Sequence, residues 1–185
     1  MIKLILYKII KKILPFALKF NFKKDTNKIV FISYPDLSDN SWHLFNYINQ
    51  NKKNLILVWL LNENLTYKRK KILKKINKNN KLLFINRRSL KGIYHFLTSR
   101  IVFFTHNTYF FSQKKIGPIL VNLWHGMPIK KIGFFRHKKP ITFYCDFVIS
   151  TSDLYKKILS KAFSVNKNSV INIGLPRNDV LINKK

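Results

Sequence analysis

Short apolar runs rich in β-branched residues alternate with polar stretches from Lys28 onward. Runs such as NLILVWLL and RIVFF are continuously hydrophobic, which is typical of parallel strands covered by helices on both faces. The pattern therefore predicts a doubly wound α/β domain with a mostly parallel sheet. The predicted strands are Lys28–Ser33, Asn54–Leu61, Lys81–Ile85, Arg100–Thr105, Ile119–Trp124, Asp146–Ser150 and Ser169–Ile173, with helices between most of them.

The first residues form a separate basic and apolar segment. Lysines interrupt every apolar stretch, so none reaches the roughly 18–20 uncharged residues of a spanning helix, and no signal-peptide cleavage site follows. On a helix the lysines fall on one side, which predicts a helix lying on an anionic membrane surface and broken near Pro15. A helix packed on the domain is the alternative. We assign residues 1–24 to this segment, with Lys8, Lys11, Lys12 and Lys19 binding the membrane, and residues 25–185 to the folded lobe.

The charge is extreme, with 36 Lys+Arg against 7 Asp+Glu and a net charge of +29. Such a balance predicts a polyanionic partner, while 46% hydrophobic residues argue against disorder. The abundance of Lys, Asn and Ile also fits a coding bias, so part of the charge is not evidence for a partner. Residues 65–78 carry a dense basic run, interpreted as either a solvated helix face or part of a polyanion-facing surface.

The cysteine and histidine content argues against a disulfide framework and a metal site. Cys145 is the single cysteine, which fits a reducing, cytoplasmic setting. Four histidines show no ligand spacing, so we expect no metal: His43, His95, His106 and His137.

Three segments follow predicted strands, where the carboxyl ends of a parallel sheet gather reactive groups. In Ser33–Asn40, one of Ser38, Asp39 and Asn40 is expected to cap a helix, and the free amides there are open to a polar ligand. In Ile171–Asp179, Arg177 can bind a phosphate through two hydrogen bonds, and Asp179 can cap a helix or orient Arg177.

The third segment, Val121–Gly133, places a histidine, a glycine and two lysines after a buried strand. His125 can accept a proton from a hydroxyl nucleophile, Gly126 permits close backbone approach, and Lys130 with Lys131 can hold phosphate oxygens. This combination suits phosphate chemistry. A purely structural role for His125 remains open on these residues alone.

Four segments in this order resemble the CDP-glycerol:poly(glycerophosphate) glycerophosphotransferase family, which includes teichoic-acid primases and polymerases and their capsular relatives. They are SDN (Ser38–Asn40), WHGMPIKKIG (Trp124–Gly133), STSDLYKKILSKAF (Ser150–Phe163) and GLPRNDVL (Gly174–Leu181). The resemblance extends over about residues 28–181.

The resemblance implies the Rossmann-like amino-terminal lobe of a two-lobed GT-B-like fold. It implies that His125 deprotonates the acceptor's glycerol hydroxyl, which attacks the β-phosphorus of CDP-glycerol and releases CMP, with no cofactor and no metal. The implied substrate- or phosphate-binding residues are Lys130, Arg177, Asn40, Gly126 and Asp179.

The implied partners are an anionic membrane at its cytoplasmic face and a lipid-linked polyol-phosphate acceptor. The chain stops at Lys185, where the family's donor-binding lobe would begin. We therefore expect either a truncated or split chain or a lobe supplied by another polypeptide, and we expect no turnover from the chain alone. Two alternatives stay open: a non-catalytic membrane-binding remnant, and a basic nucleic-acid-binding protein without a known nucleic-acid motif.

Overall fold

The structure is a computed structural model that describes residues 22–63, 65, 73, 79–109, 117–136 and 145–182. Several sequence predictions fall on residues outside these ranges and stay predictions. They concern the terminal segment with Lys8, Lys11, Lys12 and Lys19, most of the basic run 65–78, and His137.

Within the described residues, seven parallel strands form one sheet in the order β3-β2-β1-β4-β5-β6-β7. The strands are β1 (Asp25–Ile32), β2 (Ile56–Leu61), β3 (Lys81–Asn86), β4 (Ser99–Phe104), β5 (Ile119–Asn122), β6 (Phe147–Ser150) and β7 (Val170–Asn172). All seven predicted strands are confirmed. β5 ends two residues before the predicted Trp124, because that residue adopts a left-handed backbone with φ of 53° that cannot continue a strand.

Four helices are described: α1 (Asp39–Asn51), α2 (Leu90–Leu97), α3 (Asp153–Phe163) and α4 (Asp179–Ile182), with 3₁₀ turns at Gly133–Phe135, Lys167–Ser169 and Pro176–Asn178. Two of them, α2 and α3, begin at a side-chain cap. The Ser89 hydroxyl accepts a hydrogen bond from the Gly92 N–H at 3.0 Å at the start of α2. None of the helices described is long and apolar enough to cross a bilayer.

Each face of the sheet has its own apolar core. Val30 and Ile32 of β1 point to the face covered by α2 and α3, where they join the cluster containing Phe96 and Leu159. Phe31 between them points to the opposite face, where it packs against α1. The alternation along a continuously apolar strand confirms the prediction of a doubly wound α/β sheet.

The strand order reverses between β1 and β4. From β1 the sheet continues through β2 and β3 on one side, and from β4 it continues through β5, β6 and β7 on the other. Loops leaving the carboxyl ends of β1 and β4 diverge at such a point and leave a crevice between them. The segments after β1, β4, β5 and β7 therefore meet at one edge.

Candidate active site at the carboxyl edge of the sheet

His125 leaves the sheet through the left-handed turn at Trp124. The indole of Trp124 is buried and packs edge-on against Phe163 at 4.7 Å between ring centroids. The next side chain, His125, is exposed at the edge. The turn thus anchors one ring in the core and delivers the neighbouring imidazole to solvent, as the sequence predicted for His125.

A second histidine lies against His125. His106 follows β4, the neighbour of β5, and the two imidazoles stack with centroids 4.4 Å apart and an interplanar angle of 16°. The Thr105 hydroxyl and Nδ1 of His106 are within hydrogen-bonding distance at 3.0 Å. The sequence pattern around His106 predicted only that it does not bind a metal. Its position at the end of the buried run RIVFFT, next to the strand that carries His125, was the signal that could have placed it in the site.

Both stacked imidazoles favour the neutral form. Partial burial, and then the neighbouring His106 and the Arg177 cation, lower the pKa of His125 below its ordinary value of 6.5, although Asp39 opposes the shift. Partial burial also lowers the pKa of His106, again opposed by Asp39. A neutral imidazole at neutral pH has a lone pair with which to accept a proton.

Arg177 lies beside His125 and is held by an ion pair. Its guanidinium Nη1 is 3.1 Å from the Asp39 carboxylate. The Arg177 side chain remains 40% exposed and that of Asp39 only 14%, so Asp39 fixes an arginine that still faces solvent. Of the two roles predicted for Asp179, capping a helix or orienting Arg177, the second is filled by Asp39. Asp179 is an exposed residue at the start of α4, and its phosphate-binding role stays a prediction.

Gly126 permits this approach of Arg177. Its φ is +150°, and a methyl group added there would be 3.2 Å from a terminal guanidinium nitrogen of Arg177. Any other residue would strain the backbone and press on the arginine. The close approach predicted at Gly126 is thus made by a side chain of the protein itself.

The buried side chain of Asn40 links its own loop after β1 to the segments that carry His125 and Arg177. Its side-chain amide donates to the carbonyls of Leu123 and Trp124 at 3.2 and 2.9 Å, and its Oδ1 accepts from the Arg177 backbone N–H at 3.2 Å. The residue is fully buried. Asn40 therefore presents no amide to a ligand in this structure, in contrast to the substrate-binding role that the resemblance implied.

The predicted helix cap also differs. Ser38 stands at the N-cap position of α1, but its side chain makes no capping hydrogen bond and donates instead to the Pro35 carbonyl. Asp39, with a φ of 58°, turns its carboxylate to Arg177 instead. Each side chain of SDN thus bonds to another group: Ser38 to the Pro35 carbonyl, Asp39 to Arg177, and Asn40 to the segments described above. None of the three therefore caps α1.

Lys130 is exposed on the loop after β5, beside the fully exposed Ile129. No ion pair holds its ammonium group within the described part of the chain, and its phosphate-binding role stays a prediction. In the same residues, no group of three His, Cys, Asp or Glu side chains is placed to bind a metal ion. The expectation of a reaction without metal or cofactor also stays a prediction.

Comparison with known proteins identifies the family. Residues 14–185 match the family described as CDP-Glycerol:Poly(glycerophosphate) glycerophosphotransferase. The chain belongs to this family. A similar curated protein is the teichoic acid poly(glycerol phosphate) polymerase of Staphylococcus epidermidis, 28% identical over 87 residues, which are 39% of this chain and 12% of that polymerase.

Solved structures support the same fold. The wall teichoic acid polymerase TagF matches with a TM-score of 0.69 and 20% identity, covering 87% of this chain and 41% of the polymerase chain. A histidine variant of TagF soaked with CDPG gives a TM-score of 0.69 at 19% identity, with the same 87% and 41% covered. The chain thus spans less than half of these polymerase chains. The predicted GT-B-like lobe is confirmed as a fold.

Proposed function

We propose that this chain is the acceptor-side lobe of a glycerophosphotransferase that extends or primes a polyol-phosphate polymer, and that His125 is its catalytic base. The observation that carries the proposal is the exposed imidazole of His125 at the sheet edge, with a lowered pKa and with Arg177 beside it. Membership of the family supports the reaction class.

In the proposed step, a ring nitrogen of neutral His125 accepts the proton of the acceptor's terminal glycerol hydroxyl. The hydroxyl oxygen forms a bond to the β-phosphorus of CDP-glycerol, and the bond between that phosphorus and the oxygen of CMP breaks. CMP leaves with the electron pair. A base whose pKa lies near or below the working pH is suited to this transfer.

The cations at this edge have a distinct part in the proposal. Negative charge spreads over the phosphoryl oxygens as the bonds exchange, and fixed cations stabilise it without reorganising. Arg177 is pre-oriented by Asp39 and remains partly exposed, so it suits this role. Lys130, on its exposed loop, is proposed to contact the same oxygens when substrate is present.

The test is CMP release from CDP-glycerol in the presence of a poly(glycerol phosphate) acceptor. We expect none from the chain alone, because it spans 41% of the solved polymerase chains, and release once a donor-binding lobe is supplied as a second polypeptide. The His125→Asn variant should reduce this release by about 10²–10⁴-fold.

His43→Asn serves as the matched control, since His43 lies on α1 outside the stacked pair. The acid limb of the wild-type rate profile should have its midpoint below 6.5, because the pKa of His125 is lowered from that value. Equal CMP release by the His125→Asn variant and the wild type would show that His125 is not the base.

The same proposal places the chain peripherally at the cytoplasmic face of the membrane, near a lipid-linked acceptor. The net charge of +29 and the basic terminal segment, for which the sequence predicts an amphipathic helix, support it. Removing residues 1–20 should reduce sedimentation with anionic vesicles and leave sedimentation with neutral vesicles unchanged.

Undiminished sedimentation of the shortened chain would show that the terminal segment does not make the membrane contact. Salt-sensitive binding to duplex DNA without any binding to vesicles would favour the nucleic-acid alternative instead.

A further inference from the structure

A crevice of about 230 Å³ opens where the strand order reverses. It is smaller than the roughly 300–1,000 Å³ of pockets that hold drug-sized ligands, so its size suits a small polyol or phosphate ester. Residues after four adjacent strands contribute to it: Ser33 and Tyr34 after β1, Asn62 after β2, Arg87 after β3, and His106 and Asn107 after β4.

The crevice wall combines apolar and polar groups, and Arg87 is the permanently charged side chain among the described residues that line it. The Arg87 guanidinium donates to the Thr108 carbonyl and lies 5.1 Å from the centre of the Tyr109 ring, which set its orientation. Tyr34 and Asn107 are exposed at the crevice. A fixed positive charge with hydroxyl and amide groups nearby matches a ligand that combines a phosphate with alcohol groups.

His106 connects this crevice to the proposed base. It lines the crevice and also stacks on His125 at 4.4 Å. One aromatic ring therefore separates a ligand in the crevice from His125. A polymer with one repeating unit in the crevice has its next unit within reach of the base.

We propose that this crevice is a subsite for a glycerol phosphate unit of the acceptor, next to the unit whose hydroxyl reacts. The proposal rests on the proposed function, and it names where the acceptor is gripped. Arg87 balances the phosphate charge, Tyr34 and Asn107 contact the glycerol oxygens, and His106 forms the wall toward His125.

The test is a titration of the isotope-labelled full chain with sn-glycerol 3-phosphate, followed by NMR at constant ionic strength. We expect saturable shifts at His106 and Asn107 and weaker effects of inorganic phosphate. Asn107→Asp places a negative charge at the crevice and should weaken binding about tenfold. Asn27→Asp makes the same charge change in β1, toward the opposite end of the sheet, and should have less than about a twofold effect.

Arg87→Gln should abolish the shifts. Thermal unfolding checks whether the Arg87→Gln variant is folded. If it is not, the Asn107→Asp variant still tests the proposal. Shifts spread over surface lysines, equal effects of the two aspartate variants, or tighter binding of CMP at the same residues would each overturn the subsite. The His125→Asn variant should keep these shifts while losing CMP release. Loss of the subsite with His125-dependent release intact would therefore leave the proposed function standing.

Discussion

At the scale of single residues, the site depends on one buried amide. Asn40 makes three hydrogen bonds, two to the turn that carries His125 and one to the backbone of Arg177. It therefore sets the position of the base relative to the cation without touching solvent. Trp124, whose carbonyl accepts one of these bonds, and Asp39, the neighbour of Asn40 in the chain, both adopt the left-handed conformation.

Replacing Asn40 by Ala should lower the free energy of unfolding by about 2–4 kcal/mol, because two buried carbonyls and one part-buried N–H lose their partner. Turnover should fall with it, since the His125 turn and Arg177 are no longer joined. Urea unfolding of the variant measures the first effect.

The control is Asn51→Ala in the same helix. The Asn51 side chain also donates to a carbonyl, that of Tyr47 at 2.8 Å, but it is exposed, so the change should be below about 0.5 kcal/mol. Equal losses from the two substitutions would contradict the positioning role of Asn40.

At the scale of elements, strand ends and helix starts share the carboxyl edge. α3 begins just after β6, and the Ser152 hydroxyl accepts a hydrogen bond from the Tyr155 N–H at 3.3 Å. α3 then covers one face of the sheet with Leu159 and Phe163, and Phe163 supports the Trp124 indole. The last residue of this helix thus supports the turn that presents His125.

Ser152→Ala should lower the free energy of unfolding by about 0.5–2 kcal/mol, because the first turn of α3 loses its side-chain cap. The neighbouring exposed Thr151, changed to Ala, is the matched control and should have a much smaller effect. Thermal unfolding of both variants decides the matter, and a larger loss from Thr151→Ala would contradict the capping role.

At the scale of the whole molecule, basic charge dominates while three histidines resist protonation. Burial lowers the pKa of His95, His106 and His125. In the unfolded chain these histidines titrate near 6.5. As the pH falls through that value, the unfolded state takes up protons that the folded state does not, so acid favours unfolding.

The free energy of unfolding should therefore be highest above pH 6.5, the ordinary pKa of histidine. It should decrease as the pH is lowered from 7.5 to 5.5. His106→Asn should reduce the slope, because one of the resisting groups is removed. Urea titrations at fixed ionic strength measure the effect. Stability that rises on acidification across this range would show that the histidine pKa values are raised, not lowered.

The sequence by itself determined the strands, the α/β class and the edge where His125 emerges. These features depend on hydrophobic runs and turn residues that span only a few neighbouring positions, so they can be read from the sequence. Only the tertiary structure decided that His106 stacks on His125, that Asp39 and not Asp179 holds Arg177, and that Asn40 is a buried link. The Arg177 contacts join residues 137 and 138 positions apart. Their physical origin is the lateral order of the strands, which brings the ends of β1, β4, β5 and β7 together and leaves no trace in local periodicity.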